Sequence, residues 1–450
     1  MPAMAGILGV GESDRVAGML DRLNHRGQAG RTIVEVGGAT IGATWRHDEP
    51  SPTAELVGTH ALRDQGADGR LAEAIVADGQ LRLKRDVVGI APLYYGYTGD
   101  NLLAFASEVK ALLLAAQDVQ AVPPGHIFDG HRATPFADLQ LQPTMRDAPD
   151  LIAADLRRRL AAAVEAAIGD GDVGSWLSGG LDSSAMAALA RLCVRKLHTF
   201  AVGLAGAPDL AYAREVAAFI EADHHEMIVT FDQMLAVLPA VIYHLESCDA
   251  LLVRSSITNY LVAGLASDYV ARVFSGEGGD ELFAGYEYLK ALPQSQLPEE
   301  LLDITRRLHN TALQRVDRCA AAHGTQAHVC FLAPQVMELA FKIPIEYKLR
   351  NGVEKWILRE AMTGLLPPSV LQRTKAKFWE GAGVGDLLAR YADGAISDAE
   401  FQRERTLPNG WVLNSKEELL YYRIFREQFG QATDLNWMGR TKGMENSAAS

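Results

Sequence analysis

Residues 178–184 read SGGLDSS, the most informative stretch of the chain. The apolar run VGSWL at 173–177 precedes it as a short strand, and a helix begins near Ser183. Two glycines permit a tight turn that directs backbone N–H groups at an anion, three serines add hydroxyl donors, and the helix N-terminus favours negative charge. Because Asp182 lies inside this anion site, a cation must accompany it. The motif therefore predicts a strand–loop–helix unit that binds pyrophosphate together with Mg²⁺.

A Ser/Gly turn without function is the alternative interpretation of this motif. Seven residues in this order directly after a strand argue against it. The P-loop signature GxxxxGK[ST] is absent, so a kinase-type phosphate site is not indicated.

The chain divides into a β-rich first half and an α/β second half. Residues 1–130 form short β segments separated by Gly and Asp turns, and 131–150 form a proline-containing linker. Residues 151–435 alternate strands with helices and then become mainly helical, which predicts a doubly wound parallel sheet with additional helices. Residues 436–450 are expected to be a flexible tail.

Composition narrows the class of protein further. The 450 residues suffice for two or three domains, and the net charge of −13 argues against nucleic acid as the main partner. The sequence has no apolar run long enough for a membrane span, so a cytoplasmic protein is expected. Four cysteines without a CxxC pair indicate reduced thiols rather than disulfides or zinc: Cys193, Cys248, Cys319 and Cys330.

The motif resembles the PP-motif of the N-type ATP pyrophosphatases, which split ATP into AMP and pyrophosphate and attach AMP to a substrate oxygen. Several further stretches resemble the synthetase domain of the asparagine synthetases: HTFAVGLAGAPDLAYAREVA from 198, HHE at 224–226, SGEGGDELFAGY at 275–286 and LPPSVLQRTKAKF at 366–378. The first half resembles a class II glutamine amidotransferase domain in NHRGQ at 24–28, RDVVGIAPLYY at 85–95, LAFASEVKALL at 103–113 and VPPGH at 122–126. The resemblance implies an Ntn-type amidotransferase-like sandwich followed by an ATP pyrophosphatase domain, with ATP and Mg²⁺ as cofactors and a homodimeric assembly.

The resemblance also places functions on particular residues. Asp182 and Asp280 would hold Mg²⁺ and the triphosphate, although aspartates in such places also cap helices and turns. The implied ATP-binding residues are Ser178, Gly179, Gly180, Asp182, Ser183, Ser184, Val202, Gly203, Gly276 and Lys355. For Val202 ordinary sheet packing, and for Lys355 a solvated surface charge, are the alternatives.

Two residues carry the implied chemistry. Lys375 matches the family's lysine over the adenylate, where a cation stabilises charge that develops on the α-phosphate. Glu277 is glutamate, as in asparagine synthetases, where β-lactam synthetases carry a tyrosine. A carboxylate there can accept the proton of an attacking amine, which favours an external nitrogen nucleophile over intramolecular ring closure.

The first half departs from the amidotransferase pattern at its nucleophile. Ala5 follows Met4 where the family has a cysteine, and a methyl group cannot attack glutamine. The segment between GTHALRDQ and GQLRLKRD is too short for the glutamine-binding loop. Glutamine hydrolysis is therefore expected to be lost, with His25 and Arg26 left as relics or as scaffold. Nitrogen would then come from ammonia, a small amine or hydrazine-like donor, or a partner protein.

The second half departs from the family near the acid substrate. GTQAHVCFLA at 324–333 stands where a GxEARVPFLD-like stretch is usual, which puts aspartate in doubt and suggests a dedicated carboxylate from antibiotic-type biosynthesis. Arg254 is expected to pair with the substrate carboxylate, or alternatively with Asp249 or Glu246. The HHE stretch resembles a strand-entry feature of the family and is interpreted as structural, because adjacent residues on one helix point apart and do not have a ligand spacing.

The sequence thus predicts an ATP-dependent amide ligase that adenylates a carboxylate and transfers it to ammonia or a small amine. Two alternatives of the same chemistry are an intramolecular amide former and ammonia-dependent asparagine synthesis. A catalytically inactive scaffold is an alternative of another class. The chain keeps SGGLDSS, Glu277, Asp280 and Lys375, which argues against that last reading.

Overall fold

The computed structural model describes residues 3–373, 386–430 and 434–441. Its strands form three main sheets and one two-stranded ribbon. In chain order the strands are β1 (Ala3–Ile7), β2 (Gly30–Val36), β3 (Ala39–Trp45), β4 (Ala61–Gln65), β5 (Leu71–Ala77), β6 (Gln80–Arg85), β7 (Tyr94–Tyr97), β8 (Leu103–Ala106), β9 (Gln117–Ala121), β10 (His126–Phe128), β11 (Ala133–Pro135), β12 (Val173–Trp176), β13 (Leu197–Leu204), β14 (Asp223–Val229), β15 (Arg272–Phe274), β16 (Gln326–His328), β17 (Leu349–Arg350) and β18 (Val353–Glu354).

The first half is a sandwich of two antiparallel sheets, as the sequence predicts. One sheet has the order β2-β3-β1-β8-β7-β9 and the other has the order β11-β10-β6-β5-β4. Strand β5 shows how one face of a sheet packs against the other sheet. Ala72, Ala74 and Val76 are buried at alternate positions, and side chains two residues apart on a strand share a face. These residues pack with Ile41 and Phe105 of the other sheet in one core.

The second half contains the predicted parallel sheet, in the order β14-β13-β12-β15-β16, with helices on both faces. The α-helices of the described chain are α1 (Ser13–Arg22), α2 (Thr53–Thr59), α3 (Val109–Leu112), α4 (Pro149–Ile168), α5 (Leu181–Cys193), α6 (Pro208–Phe219), α7 (Phe231–Leu245), α8 (Ala250–Ser267), α9 (Gly279–Phe283), α10 (Leu297–Arg306), α11 (Ala312–Ala322), α12 (Pro334–Lys342), α13 (Ile345–Lys348), α14 (Trp356–Met362), α15 (Pro368–Gln372), α16 (Leu387–Ala395), α17 (Asp398–Glu404) and α18 (Lys416–Phe429).

The order of the parallel sheet fixes where the site lies. SGGLDSS follows β12, while Val202 and Gly203 lie near the end of β13, and SGEGGDE follows β15. Because β12 is flanked by β13 and β15, the carboxyl ends of all three strands meet at one edge. Ligands of open α/β sheets bind at this edge.

The two halves share a hydrophobic core and a buried set of charges. Ala5 and Ile7 of β1 pack with Val241 and Leu245 of α7. Beside them lies the interface ion network, which we define as the buried residues Arg26, Asp64, Arg70, Glu108, Lys110, Glu246, Asp317 and Arg318. The first half is therefore fixed to the second rather than tethered to it.

The boundaries between the predicted regions shift by a few residues. Strand β11 pairs with β10 inside the first sandwich, and α4 begins at Pro149, so the irregular connection covers 136–148 of the predicted linker. In the predicted tail, Trp437 and Met438 are buried and Thr441 donates a hydrogen bond to Asp249. Packing therefore continues to residue 441, past the predicted boundary at 435, and residues 442–450 lie outside the described part of the chain.

Within the described ranges, no single helix is long and apolar enough to cross a membrane. Helices α7 and α8 pass that test only as a pair, and they are bent by 109° relative to each other. Residues on both helices are buried in the core of the protein.

Candidate active site

A cavity of about 1210 Å³ opens at the carboxyl edge of the parallel sheet. Most of the predicted ligand-binding residues line it: Ser178, Gly180, Asp182, Ser183, Val202, Gly276, Glu277, Asp280 and Lys355. Four predicted residues are not on its wall: Gly179, Ser184, Gly203 and Arg254. Lys375 lies outside the described residues, so its predicted function stays a prediction.

The SGGLDSS loop closes on itself through its serines. The Ser178 amide donates to Ser183 Oγ at 3.2 Å, and that hydroxyl in turn contacts the Gly180 carbonyl at 3.2 Å. Gly179 has φ of +68°, and a Cβ there would lie 2.4 Å from Cβ of Tyr212. Gly179 therefore shapes the turn without facing the cavity, and the N-terminus of α5 follows directly at Leu181.

The second predicted loop lies directly against the first. A Cβ on Gly276 would be 2.6 Å from the backbone nitrogen of Ser183, and one on Gly279 would be 2.6 Å from Cγ of Asp182. Only glycine permits this approach of the two backbones. The glycines of SGEGGDE thus bring Asp280 close to Asp182, although 98 positions separate them in the sequence.

Lys355 joins the two aspartates. Its Nζ contacts Asp182 Oδ2 and lies 2.6 Å from Asp280 Oδ1, and its side chain is buried. The backbone of Lys355 has φ of 56°, a left-handed conformation that is uncommon for a residue other than glycine. Two carboxylates that converge on one buried cation form an oxygen donor set of the kind Mg²⁺ prefers. Asp182 and Asp280 therefore fit Mg²⁺, which would neutralise the triphosphate when bound.

Two glutamates, Glu277 and Glu281, flank Asp280 in the sequence of the second loop. Glu277 forms an ion pair with Arg315 of α11, and both side chains are about 15% exposed. Glu281 is buried and accepts a hydrogen bond from the hydroxyl of Tyr286. Burial, together with the nearby Glu277 and Asp280, raises the pKa of Glu281 to about 8. Glu281 and Arg315 were not predicted from the sequence. Glu281 could have been found from its position next to Asp280, whereas no local sequence signal indicates Arg315.

Arg373 contacts the SGGLDSS loop and two residues of α6. Its guanidinium donates to the Ser178 carbonyl at 3.4 Å, pairs with Asp209 and lies 4.1 Å from the ring centre of Tyr212. The N-cap position of α6 is Ala207, and Asp209, in the first turn of that helix, pairs with Arg373. Arg373 is the last described residue before 374–385 and belongs to the same RTKAKF stretch as Lys375.

Arg254 pairs with neither of the acidic residues expected as its alternatives. It forms a two-point ion pair with Glu417 of α18, and Glu417 also accepts a hydrogen bond from Tyr421 at 2.7 Å. Asp249 instead caps α8 through the Leu252 amide, and Glu246 binds Arg318 in the interface ion network. Binding of a substrate carboxylate by Arg254 stays a prediction.

The stretch GTQAHVCFLA lies away from the cavity wall. His328 lies 3.7 Å from Asp68 of the first half, and the Val329 amide donates to the same carboxylate at 3.2 Å. Cys330 and Ala333 are buried in the core of the second half. Of the departures from the family pattern, His328 therefore lies at the contact between the halves, whereas Cys330 and Ala333 lie in the core of the second half, and none of the three lines the cavity.

The first half holds Ala5 in the middle of a strand. Ala5 is buried and pairs with Gly42 of β3 and Ala106 of β8. Arg26 of the HRG motif pairs with Glu108 and Asp317, and His25 lies 3.1 Å from Glu108. Arg26 reaches the second half through Asp317, and the ring of His25 lies 4.8 Å from that of His244 in α7, so both residues lie at the contact between the halves.

Comparison with known proteins agrees with these features. The asparagine synthase family matches residues 155–307 and 293–448, and the glutamine amidotransferase domain family matches residues 57–131. The chain is 33% identical over 409 residues to a probable glutamine-hydrolysing asparagine synthetase of Schizosaccharomyces pombe, covering 80% of this chain and 72% of that one. It is 33% identical over 375 residues to asparagine synthetase 2 of Arabidopsis thaliana, covering 77% and 64%. The alignment with the structure of NMN synthetase from Francisella tularensis has a TM-score of 0.31 and 11% identity, covering 65% and 99%.

The parallel sheet and its paired glycine loops, together with the family match and the curated relatives, define a class of protein, the ATP-dependent ligases that form C–N bonds. Within that class, the chain belongs to the asparagine synthase family. It spans about two thirds of the length of its curated relatives, 72% of one and 64% of the other.

Proposed function

We propose that this protein adenylates a small-molecule carboxylate with Mg²⁺-ATP and transfers the acyl group to ammonia or a small amine, without hydrolysing glutamine. The convergence of Asp182, Asp280 and Lys355 beneath the SGGLDSS loop is the observation that carries the proposal. Backbone N–H groups of the loop and the N-terminus of α5 hold the phosphates. Lys355 contributes positive charge at the point where pyrophosphate departs.

The reaction has two steps. An oxygen of the substrate carboxylate attacks the α-phosphorus of ATP, so that an acyl-adenylate forms and pyrophosphate leaves. The nitrogen nucleophile then attacks the acyl carbon, and AMP departs with the electron pair of the broken C–O bond. Glu277 accepts the proton that the attacking nitrogen loses, and Lys375 stabilises the charge on the α-phosphate.

The cavity extends beyond the loops toward a mixed apolar and polar wall that suits the acyl part of the substrate. Residues of α8 and α11 contribute to it, among them Leu252, Asn259 and Arg315. Arg315 provides a cation beside Glu277, so a second polar group on the acid has a partner within reach. A dedicated acid of specialised biosynthesis is our proposal for this substrate.

Ala5 supports the absence of glutamine hydrolysis. The side chain of Ala5 is a methyl group buried in the core, and the strand that carries it pairs with β3 on one side and β8 on the other. The first half then serves as a platform that supports the second. We propose further that the protein acts in the cytoplasm as a homodimer.

The test is release of AMP and pyrophosphate by the purified protein. ATP, Mg²⁺ and ammonium are supplied with each of a panel of carboxylic acids, L-aspartate included, beside reactions that contain glutamine as the sole nitrogen source. Amide formation with ammonium or an amine, and none with glutamine, supports the proposal. Turnover with glutamine alone contradicts it. A cyclic amide formed from an amino acid without added nitrogen indicates intramolecular ring closure instead, since AMP by itself would also arise from hydrolysis of the adenylate.

A further inference from the structure

A cluster of two histidines and an aspartate lies at the opposite edge of the parallel sheet from the cavity. His198 is the second residue of β13, and Asp223 and His225 are the first and third residues of β14. Parallel pairing sets His198 opposite Asp223 and Phe200 opposite His225. These are the amino ends of the strands, whereas the SGGLDSS loop lies at the carboxyl ends.

The strand conformation changes the interpretation of the HHE stretch. On a helix adjacent residues point apart, but on a strand residues two apart point to the same side. Asp223 and His225 therefore share a face and meet His198 there, while His224 points to the other face and contacts Thr199 Oγ1 at 3.0 Å. The expectation that the histidines of HHE have no ligand spacing was based on helical geometry, which β14 does not have.

The distances within the cluster match those around a tetrahedral metal ion. His198 Nδ1 and His225 Nε2 are 2.9 Å apart. Asp223 Oδ2 lies 3.6 Å from the first nitrogen, and the other oxygen of the same carboxylate, Oδ1, lies 3.8 Å from the second. Ligands about 2.0–2.1 Å from a tetrahedral Zn²⁺ lie about 3.4 Å from one another, a value between these separations. All the ligand atoms are within 4.8 Å of each other.

The surroundings hold the three side chains in place. His198 is buried, and the ring of Tyr269 lies 3.9 Å from that of His225 and covers it. Lys196 Nζ lies 3.0 Å from Asp223 Oδ2, so one carboxylate oxygen already has a cationic partner. Lys196 is exposed and can move into solvent when another cation takes its place.

We propose that His198, Asp223 and His225 form a binding site for a Zn²⁺-class divalent metal that fastens β14, the terminal strand of the sheet, to β13. Two imidazole nitrogens and one carboxylate oxygen suit Zn²⁺ and leave a fourth position for water. Mg²⁺ prefers oxygen ligands, so the site is distinct in chemistry and in place from the Asp182–Asp280 pair. This inference does not depend on the proposed ligase activity.

The first experiment removes transition metals from the full chain and then adds Co²⁺ as a spectroscopic probe. Excess Mg²⁺ is present to occupy the ATP site. We expect one Co²⁺ per chain with visible absorption typical of nitrogen-containing coordination. The variants Asp223→Asn and His225→Gln should weaken binding by at least about tenfold, because each loses a ligand. His224→Gln, on the opposite face of the same strand, is the matched control and should bind as the unaltered protein does.

Thermal unfolding with Zn²⁺ gives a second measurement that does not use activity. Zn²⁺ should raise the midpoint temperature of the unaltered protein and of the His224→Gln variant, because a ligand that binds the folded state stabilises it. It should leave Asp223→Asn unchanged, and Asn is tolerated at this exposed position even if His225→Gln fails to fold. Absence of both the Co²⁺ absorption and the Zn²⁺ shift in the unaltered protein would overturn the site and leave a hydrogen-bonded histidine pair. Equal effects of the metals on all variants would overturn it as well.

Discussion

Lys355 Nζ lies 2.6 Å from Asp280 Oδ1, and the same ammonium contacts Asp182. The buried side chain of Lys355 thus lies where the SGGLDSS and SGEGGDE loops bring their aspartate carboxylates together. Both carboxylates therefore converge on a single point at the carboxyl edge of the sheet, although they belong to different loops.

Asp280→Asn should lower the rate of AMP formation by at least about 100-fold, because the metal loses an anionic ligand and the triphosphate loses its counterion. Pyrophosphate release under saturating acid and amine measures the effect. Asp232→Asn, on the exposed first turn of α7, is the control for a change of charge alone. An Asp280→Asn protein that retains full activity would show that the metal binds elsewhere.

Glu277→Gln should separate the two steps of the reaction. Adenylation needs no base at this position, so exchange of labelled pyrophosphate into ATP should persist. Amide formation should fall by about 100-fold, since general base catalysis contributes about that much. Glu299→Gln, at an exposed position in the first turn of α10, serves as the control. An equal loss in both steps would assign Glu277 to ATP binding or to the support of Arg315.

The sequence was sufficient to predict the architecture of the site because the decisive signals are local. SGGLDSS and SGEGGDE each follow an apolar strand directly, and their glycines meet requirements that act within a few residues. The short β segments separated by Gly and Asp turns likewise predicted the β-rich first half. Family resemblance then assigned Asp182, Asp280 and Lys355, which the structure brings together at one point.

Partners far apart in the sequence could not be predicted in this way. Arg254 pairs with Glu417, 163 positions away, and nothing near either residue indicates the other. Arg315 has no local signal that would place it beside Glu277. The GTQAHVCFLA stretch was assigned to the substrate pocket by analogy, whereas its His328 faces the first half. Such contacts depend on how whole elements pack.

Ala5→Cys should not create a glutaminase. The position lies in the interior of β1 and has no exposed surface, and its backbone pairs with strands on both sides. A cysteine there would be buried, which raises the pKa of a thiol and suppresses its reactivity. Release of glutamate from glutamine, measured with and without ATP, should stay at the level of the unaltered protein. Glutamate formation by the variant would contradict the view that the first half has lost more than its nucleophile.

Arg26→Met should destabilise the protein by about 3 kcal/mol, because it leaves Glu108 and Asp317 buried with one cation fewer. Urea unfolding, followed by fluorescence and by circular dichroism, measures this change. Arg31→Met removes an exposed ion pair with Asp21, in which the side chains are 51% and 70% exposed. That control should cost less than about 1 kcal/mol. Equal effects of the two substitutions would show that the interface ion network contributes little to holding the halves together.

Glu281 should make the stability of the ligand-free protein depend on pH. Its pKa is about 8 in the folded protein and near 4.5 when unfolded, mainly because burial disfavours the charged form. Between these values the folded state holds a proton that the unfolded state has lost, so the free energy of unfolding falls as pH rises through the interval. The slope from this group reaches at most about 1.4 kcal/mol per pH unit.

Glu281→Gln should remove that slope, because the amide does not titrate and can still accept the hydrogen bond from Tyr286. Urea unfolding below, within and above the interval compares the variant with the unaltered protein. The variant should be more stable at the alkaline end, and the two proteins should converge at the acidic end. Parallel stability curves over the whole range would mean that Glu281 ionises normally, and that solvent or a cation reaches it in the folded state.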